Sequence, residues 1–502
     1  LVVDLGTSNT CAALVDENRK VTLIPFDDSH TGDREAQLAS AVCYLRLRRE
    51  TELELGERAV ERSREPSATR AVVLAAKRRI GHPEKPYHIT PLDEPAETIP
   101  RAAETVLQDI YRHVIRRATR LLLAQGRQEI ILSRVAITHP SRFSVTQIGH
   151  LKRSASAALG EQLQLYPMAS QIASEPQTMH EPVGAALHFL NDWKQQASLF
   201  QTWARGEEMV YHLFVYDFGG GTLDITLIRV QASRQPLRNP EAAEHGYSYT
   251  VSPLVLGAMG ERWFGGQDVT RELVDLLRSR LPNSERLIWT GSGDSVTGRR
   301  NEALLTAWAE ELKIAMVSGQ TADELLLSLP SLHFDEDGKE KLVAASSLRR
   351  ALTLPTLEEL QERVRPTLHE TLRRAARLVS RHGLEKPDLV VQVGQSCLLP
   401  AVEETLREHF PDALHLRSEA PKSCVVLGAA TAVFPGVSAG IQLSRGIDRP
   451  GLRLKLPKEQ SLSATTSRLG IKVLDGGTAW FQEILGEGIP IPREGLSESL
   501  EG

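Results

Sequence analysis

Cysteine is scarce in this chain and never clustered. Cys11, Cys43, Cys397 and Cys424 are four among 502 residues, with no CxxC pair and no zinc-ligand spacing. That excludes a disulfide framework and a structural metal cluster, and it fits a reducing, cytoplasmic setting. Also lacking is any run of about 18 or more consecutive apolar residues of the kind that crosses a membrane, so no membrane partner is expected. Nor is there a surplus of positive charge: 59 Lys and Arg stand against 64 Asp and Glu, a formal net charge of -5. That balance does not suit the neutralisation of a nucleic-acid backbone, and nucleic acid is not expected as a partner. The arginine pairs Arg116-Arg117 and Arg373-Arg374 lie in helical patterns and read as solvated faces. Low-complexity tracts and short tandem repeats are missing too. The first residue is Leu1, inside an apolar run, which is compatible with the trimming of an N-terminal targeting segment.

What is present is an ordinary globular composition, 41% hydrophobic and 25% charged. Its length exceeds the size at which one hydrophobic core keeps growing, so two or more lobes with a cleft between them are expected. Two segments share one pattern. Residues Leu1 to Val15 read as an apolar run, a small polar turn and a second apolar run, with Asp4 closing the first strand. Residues Leu213 to Ile228 repeat it, with Asp217 closing the first strand and Gly219-Gly220-Gly221-Thr222 in the turn. Two such β-hairpins imply two related lobes.

Between and after them the periodicity is helical. Val106, Ile110, Val114, Ala118 and Leu122 recur every four residues within Arg101 to Gln125. A second long helix is expected from Thr356, with Glu359 completing a capping box, to Gly383, kinked at Pro366. Val135 to Thr138 and Leu389 to Val393 read as strands. The second of these runs into a turn at Gly394-Gln395-Ser396 and a helix from Leu399, the order that presents backbone amides to a ligand. From about Gly436 the texture becomes short and β-rich.

A nucleoside triphosphate with its magnesium needs closely approaching N–H groups, hydroxyls for phosphate oxygens, and carboxylates that hold the ion through water. Each hairpin supplies that set. Gly6 permits close approach, Thr7 and Ser8 bring hydroxyls, and Asp4 can hold a magnesium-bound water. Gly219, Gly220 and Gly221 permit a tight turn, Thr222 brings a hydroxyl, and Asp217 and Asp224 bring carboxylates.

The motifs DLGTSNT at 4–10, DFGGGTLD at 217–224 and VGQSCLLP at 393–400 resemble, in order, the phosphate-1, phosphate-2 and adenosine motifs of the actin, hexokinase and heat-shock chaperone superfamily. Ala76 to Gly81 resembles the AKRLIG segment of the heat-shock 70 kDa, DnaK-type chaperones. Pro140-Ser141-Arg142-Phe143 resembles their PAYF, Gly265 to Asp268 their GGED, and Val426 to Ala430 their AxGAA helix. The resemblance implies an α/β, actin-like ATPase fold of two lobes built from duplicated ribonuclease-H-like domains. The nucleotide-binding domain would span 1–435, its second lobe roughly 206–390. Residues 436–502 would form a linker and a partial, substrate-binding-like β segment.

It further implies ATP or ADP with magnesium as cofactors, and roles for particular residues. Lys77 would stand near the γ-phosphate and the attacking water. Glu181, in a segment similar to EPTAAA, would organise magnesium-bound water; Glu175-Pro176 is the alternative, less favoured because no small-residue run follows it. Asp217 and Thr222 complete the implied catalytic set. Asn9, Glu310, Lys313, Gly394, Gln395 and Ser396 join the two hairpins in holding nucleotide, and Asp4 and Asp217 hold magnesium through water. The implied function is ATP hydrolysis by a chaperone that assists folding, with unfolded polypeptides and co-chaperones or an exchange factor as partners. The alternative is a nucleotide-binding regulatory or scaffold protein with little turnover.

The chain also departs from the family pattern. Gln395 replaces the second adenosine-motif glycine, Leu398 the arginine that lies on adenine, and Ile148 an arginine of the interdomain relay. Pro421-Lys422-Ser423 stands where an acidic turn is usual, and no leucine-rich acidic linker is visible between Gly436 and Leu456. Ser467 to Pro492 resembles only the opening hairpin of a substrate-binding sandwich.

Overall fold

The computed structural model describes residues 1–432 except 17–19, 27–35, 48–50, 66–67, 69, 127–130, 166–170, 173–174, 192–207, 237–246, 262–263, 291–295, 321–325 and 419. Beyond 432 it describes five short strands between 451 and 491. The expected domain boundary at 435/436 and the stretch from 436 to 450 lie outside the described residues.

Two mixed sheets organise the α/β chain. The first contains β1 (Val2–Leu5), β2 (Asn9–Val15), β3 (Val21–Leu23), β4 (Gln37–Ala39), β5 (Ala136–His139) and β6 (Gln177–His180), in the order β6-β5-β1-β2-β3 with β4 also paired to β2. The second contains β7 (Glu208–Phe218), β8 (Leu223–Pro236), β9 (Tyr247–Glu261), β10 (Leu389–Val393), β11 (Leu414–Arg417) and β12 (Gly451–Leu454), in the order β11-β10-β7-β8-β9-β12. In each sheet the first three strands form an antiparallel meander and two later strands, β5 and β6 in the first and β10 and β11 in the second, add in parallel beside the first. The same five-strand path thus occurs twice in one chain, as the two hairpin motifs require.

Side-chain alternation shows why these segments are central strands. Along β7, Phe214, Tyr216 and Phe218 enter one apolar cluster while Leu213 and Val215 enter another. Along β1, Leu1, Val3 and Leu5 face one cluster, and Val2 faces a second with Cys11 and Ala13. A strand buried on both faces reads as a near-continuous apolar run, as VVDL and LVVQV do apart from Asp4 and Gln392.

Helices cover these faces. Helix α1 (Ala103–Ala124) buries Val106, Ile110, Val114 and Ala118, four of the five residues of the predicted stripe, and leaves the fifth, Leu122, half-buried. It packs on α2 (Val145–Leu165). A helix α3 (Glu181–Asn191) follows β6. Helix α4 (Gly266–Arg280) follows β9, and α5 (Val296–Ser318) packs on it. Helix α6 (Leu357–Arg381) starts at Thr356, whose hydroxyl accepts from Glu359 N–H while the Glu359 carboxylate accepts from Thr356 N–H; such a cap is worth about 1 kcal/mol. The helix runs on across Pro366. Helix α7 (Pro400–His409) follows β10, and α8 (Cys424–Ala432) follows β11.

Helices α3 and α8 hold equivalent places, after the outer parallel strand of each sheet (β6 and β11), and they cross at two glycines. A Cβ on Gly184 would lie 2.7 Å from the Val425 carbonyl oxygen, and one on Gly428 would overlap the Gly184 carbonyl. This close crossing accounts for the small residues in EPVGAA and VLGAA.

In the C-terminal stretch, Leu469–Asp475 and Thr478–Leu485 form the expected hairpin, and Ser463–Ala464 pairs with Pro490–Ile491. Strand β12 instead extends the second sheet, parallel to β9.

Candidate functional site

The two hairpin turns are built alike. Gly6 N–H donates to Asn9 O at 3.1 Å, and Gly219 N–H donates to Thr222 O at 3.0 Å, the same bond at the same spacing. Asp4 and Asp217 are the penultimate residues of the incoming strands, opposite Cys11 and Asp224 respectively. Ser40 braces the first turn: its hydroxyl donates to Gly6 O at 2.8 Å and its N–H to Ser8 O at 2.7 Å.

Helix α4 and the β10–α7 turn brace the second. Gly266 N–H donates to Gly219 O at 2.9 Å, Gln267 N–H to Gly220 O at 2.8 Å, and Ser396 Oγ to Gly219 O at 3.0 Å. The Arg78 guanidinium donates to Gly221 O and lies 3.6 Å from Asp268. The loop carbonyls are therefore satisfied, while among the described residues no acceptor takes the N–H groups of Gly220, Gly221 and Thr222. Such a turn offers donors to an anion.

The turns face one another. A Cβ on Gly220 would overlap Ser8 Oγ, and one on Gly221 would overlap the Thr7 methyl. Ser8 Oγ is buried and has no hydrogen-bond partner among the described residues. Glycine at 220 and 221 is required by this approach. At Gly394 the requirement is conformational as well: its φ is 85°, and a Cβ would overlap the Phe218 carbonyl.

Acids and one lysine gather beneath the turns. Thr138 Oγ1 donates to Asp4 Oδ1 at 2.5 Å. Lys77, in the 3₁₀ turn Ala76–Arg79, is only 5% exposed; its Nζ donates to Glu181 Oε1 at 2.5 Å and lies 5.7 Å from the centre of the Phe143 ring. Glu181 is buried at the first turn of α3, whereas Glu175 is exposed. Arg142 Nε lies 3.8 Å from Asp224 Oδ1.

Burial disfavours the Lys77 charge, but Glu181 and then Asp4 more than offset that and hold its ammonium above the ordinary lysine value. Burial pushes the Glu181 carboxyl up; Lys77 opposes this, while Asp4 and Asp217 add to it. The Asp217 carboxyl is pushed up to about 7, first by loss of solvent and then by Asp224, with Lys422 pulling the other way. A group of acids with raised proton affinity is short of positive charge.

On the far side of the second turn, Lys313 Nζ donates to Gly266 O at 2.9 Å, Thr270 Oγ1 at 2.9 Å and Glu310 Oε2 at 2.7 Å. A Cβ on Gly266 would lie 2.5 Å from Ser396 Oγ and 3.5 Å from Lys313 Nζ. Glu310, Lys313 and Ser396 thus converge on the start of α4. Gln395 is exposed, as is Leu398 at 39%.

Sequence reasoning named no role for Ser40, Thr138, Arg78 or Arg142. Arg78 and Arg142 lie inside motifs that were read for other residues; Ser40 and Thr138 carried no motif signal. Lys422 stood out only as a departure, and the structure places it against the first turn.

A family model described as Hsp70 protein matches residues 205–445. The heat shock 70 kDa protein 6, chloroplastic, of Arabidopsis thaliana is 24% identical over 400 residues, which cover 77% of this chain and 46% of that protein. The chain therefore spans less than half the length of that relative.

Proposed function

Because a model of the Hsp70 protein family matches residues 205–445 and a 70 kDa heat-shock protein is similar over 77% of the chain, we propose that the chain binds a magnesium nucleoside triphosphate between its two hairpin turns and hydrolyses it to the diphosphate and phosphate. One observation carries this reading: the same glycine turn occurs twice, at the ends of two equivalent strands, with its tips apposed over a cluster of buried and partly buried carboxylates.

The residues fit the ligand. The N–H groups of Gly220, Gly221 and Thr222 and the buried Ser8 hydroxyl, which have no partner among the described residues, are donors for phosphate oxygens. Asp4 and Asp217 are the carboxylates for a cation; among the described residues no group of three or more His, Cys, Asp or Glu side chains is arranged to ligate an ion directly, so they would act on a hydrated one. Magnesium would supply charge neutralisation along the phosphates.

Lys77 directs positive charge where the transferring phosphoryl group becomes more anionic. Glu181 fixes that ammonium and orients water. In the balanced reaction, water oxygen bonds to the γ-phosphorus, the bridging bond to the β-phosphate breaks, and the proton of the attacking water passes to a neighbouring carboxylate or to solvent. On the adenosine side, Glu310, Lys313, Gly394, Gln395 and Ser396 hold the nucleoside.

We read the nucleotide-binding unit as residues 1–435. Its output would be chaperone-like, acting on unfolded polypeptides with a co-chaperone or exchange factor. The four cysteines are buried and none is in a disulfide, which suits a cytoplasmic setting, and no described helix is long and apolar enough to cross a membrane. The exposed Leu398, with Ile148, favours a second reading, a regulatory nucleotide-binding protein of low turnover. Following phosphate release from ATP with and without an unfolded polypeptide separates them. Stimulated release supports the chaperone; binding without release supports the regulator; no binding of Mg-ATP at all refutes both.

A further inference from the structure

The turn Pro421-Lys422-Ser423 brings a second lysine to the two hairpins. Its position is fixed from both sides. Gly394 N–H donates to Pro421 O at 3.3 Å, and Gly394 itself abuts Asp217, since a Cβ there would lie 3.0 Å from Asp217 Oδ1. On the other side, α8 begins at Cys424, whose N–H donates to Ala420 O at 3.1 Å. Between these anchors the Lys422 side chain reaches the first turn, with Nζ 3.5 Å from where a Cβ on Gly6 would stand.

Lys422 is half-buried, and no described residue accepts a hydrogen bond from its ammonium or forms an ion pair with it. Its field is felt at Asp217. An ammonium with three donors and no hydrogen-bond partner among the described residues is costly to leave half-covered, and this one lies against Gly6 in the first of the two turns. Lys77 differs, because its Nζ is already committed to Glu181.

We propose that Lys422 is a fixed cation of the triphosphate site, contacting phosphate oxygens directly and taking over part of the charge neutralisation that a divalent ion would otherwise supply. The inference rests on the nucleotide-binding reading above and extends it. A lysine is a compact point charge on a flexible stem, suited to follow phosphate oxygens. Its location at a turn where the family resemblance leads to an acid makes the effect a property of this chain.

The consequence is nucleotide binding that persists when divalent ions are removed. The test is calorimetric titration of the full chain with ATP and ADP, once with magnesium and once with EDTA, for wild type, Lys422→Met, Lys422→Gln and Lys422→Arg. Thermal unfolding of each variant serves as the folding control. Wild type should retain measurable ATP affinity in EDTA. Lys422→Met and Lys422→Gln should each lose more than about tenfold there but less than about threefold with magnesium, and Lys422→Arg should stay near wild type.

Equal losses in both buffers, or no loss in either, overturn the proposal while leaving the nucleotide site standing. Failure of wild type to bind with magnesium overturns the nucleotide reading, and this inference with it. Binding by wild type with magnesium but not with EDTA overturns the inference alone.

Discussion

Lys77 and Glu181 lie 104 residues apart in sequence and meet in a buried ion pair, Nζ to Oε1 at 2.5 Å. The pair joins the 3₁₀ turn at Ala76–Arg79 to the first residue of α3, and so ties two segments around the end of the first sheet. Removing one partner leaves the other charge buried. Lys77→Ala is expected to cost about 3 to 5 kcal/mol of stability, and more at pH 8 than at pH 6. The sign follows from Glu181: without the ammonium its carboxyl, already raised by burial, holds its proton more tightly in the folded state, so stability is lost as pH rises. In the folded fraction, nucleotide binding should survive while phosphate release falls at least about 100-fold, the difference between ground-state and transition-state charge. Release within about twofold of wild type would return Lys77 to a purely structural role.

Asp217 gives a pH dependence of its own. Its carboxyl is raised to about 7 in the folded protein, against about 3.9 in an unfolded chain. The folded form therefore keeps a proton that the unfolded form releases. The associated stability is fully present below about pH 4 and is lost as pH rises through about 7. Asp217→Asn should unfold at higher temperature than wild type at pH 8 without ligand, and at nearly the same temperature at pH 4. Magnesium nucleotide needs the ionised carboxylate, so wild-type affinity should rise between pH 6 and 7 with a slope approaching tenfold per unit, and the Asn variant should lose that slope. Titration calorimetry in buffers of different protonation enthalpy checks this; release of no proton by wild type at pH 6.5 contradicts it.

The first helix face, the Thr356 capping box, the strand at Leu389 to Val393 and both hairpins were legible because each is encoded locally, by period, cap or turn chemistry. Pairing of the two hairpins as equivalents was also legible, since both spell Asp, apolar, Gly. What the sequence did not display are contacts made by unremarkable residues across long separations. Ser40 carries no motif, yet it holds Gly6 and Ser8. Arg78 lies in the same segment as Lys77 but turns to Gly221 and Asp268. No periodicity records which of two adjacent basic residues faces which partner. The order of the sheets likewise depends on nonlocal pairing, and strand Gly451–Leu454 joins the second sheet from beyond a stretch whose composition shifts.

The crossing of α3 and α8 supplies a stability test. Gly428 has no room for a Cβ, because the obstruction is the Gly184 carbonyl and the His188 amide, 2.6 Å from the same point; both are backbone. Backbone cannot rotate aside as a side chain does. Gly428→Ala should therefore cost more than about 3 kcal/mol, at or beyond the upper end for overpacked cores. At Gly160, also within a helix but with no atom near its Cβ position, the same change should be neutral or mildly stabilising, as glycine is a poor helix former. Equal unfolding midpoints in denaturant for the two variants would refute the close crossing.

The apposed hairpin tips give the sharpest test of the site itself. A Cβ on Gly220 collides with the hydroxyl of Ser8, and its distance from Ser8 Cβ would be 2.8 Å. Both obstructing atoms belong to one short side chain from the other turn. If the two turns close on each other as the structure has them, Gly220→Ala should force them apart, weaken Mg-ATP binding by at least about tenfold, or 1.4 kcal/mol, and slow phosphate release further. Ser8→Gly alone removes a buried hydroxyl donor and should weaken binding by a smaller factor, near that of one lost hydrogen bond, about 0.5 to 1.5 kcal/mol. The double variant Gly220→Ala/Ser8→Gly removes the collision and should bind more tightly than Gly220→Ala, a favourable coupling on a double-mutant cycle. Simple additivity of the two losses would mean that the turns do not meet, and that the phosphate donors of the two hairpins act on the nucleotide from separate positions.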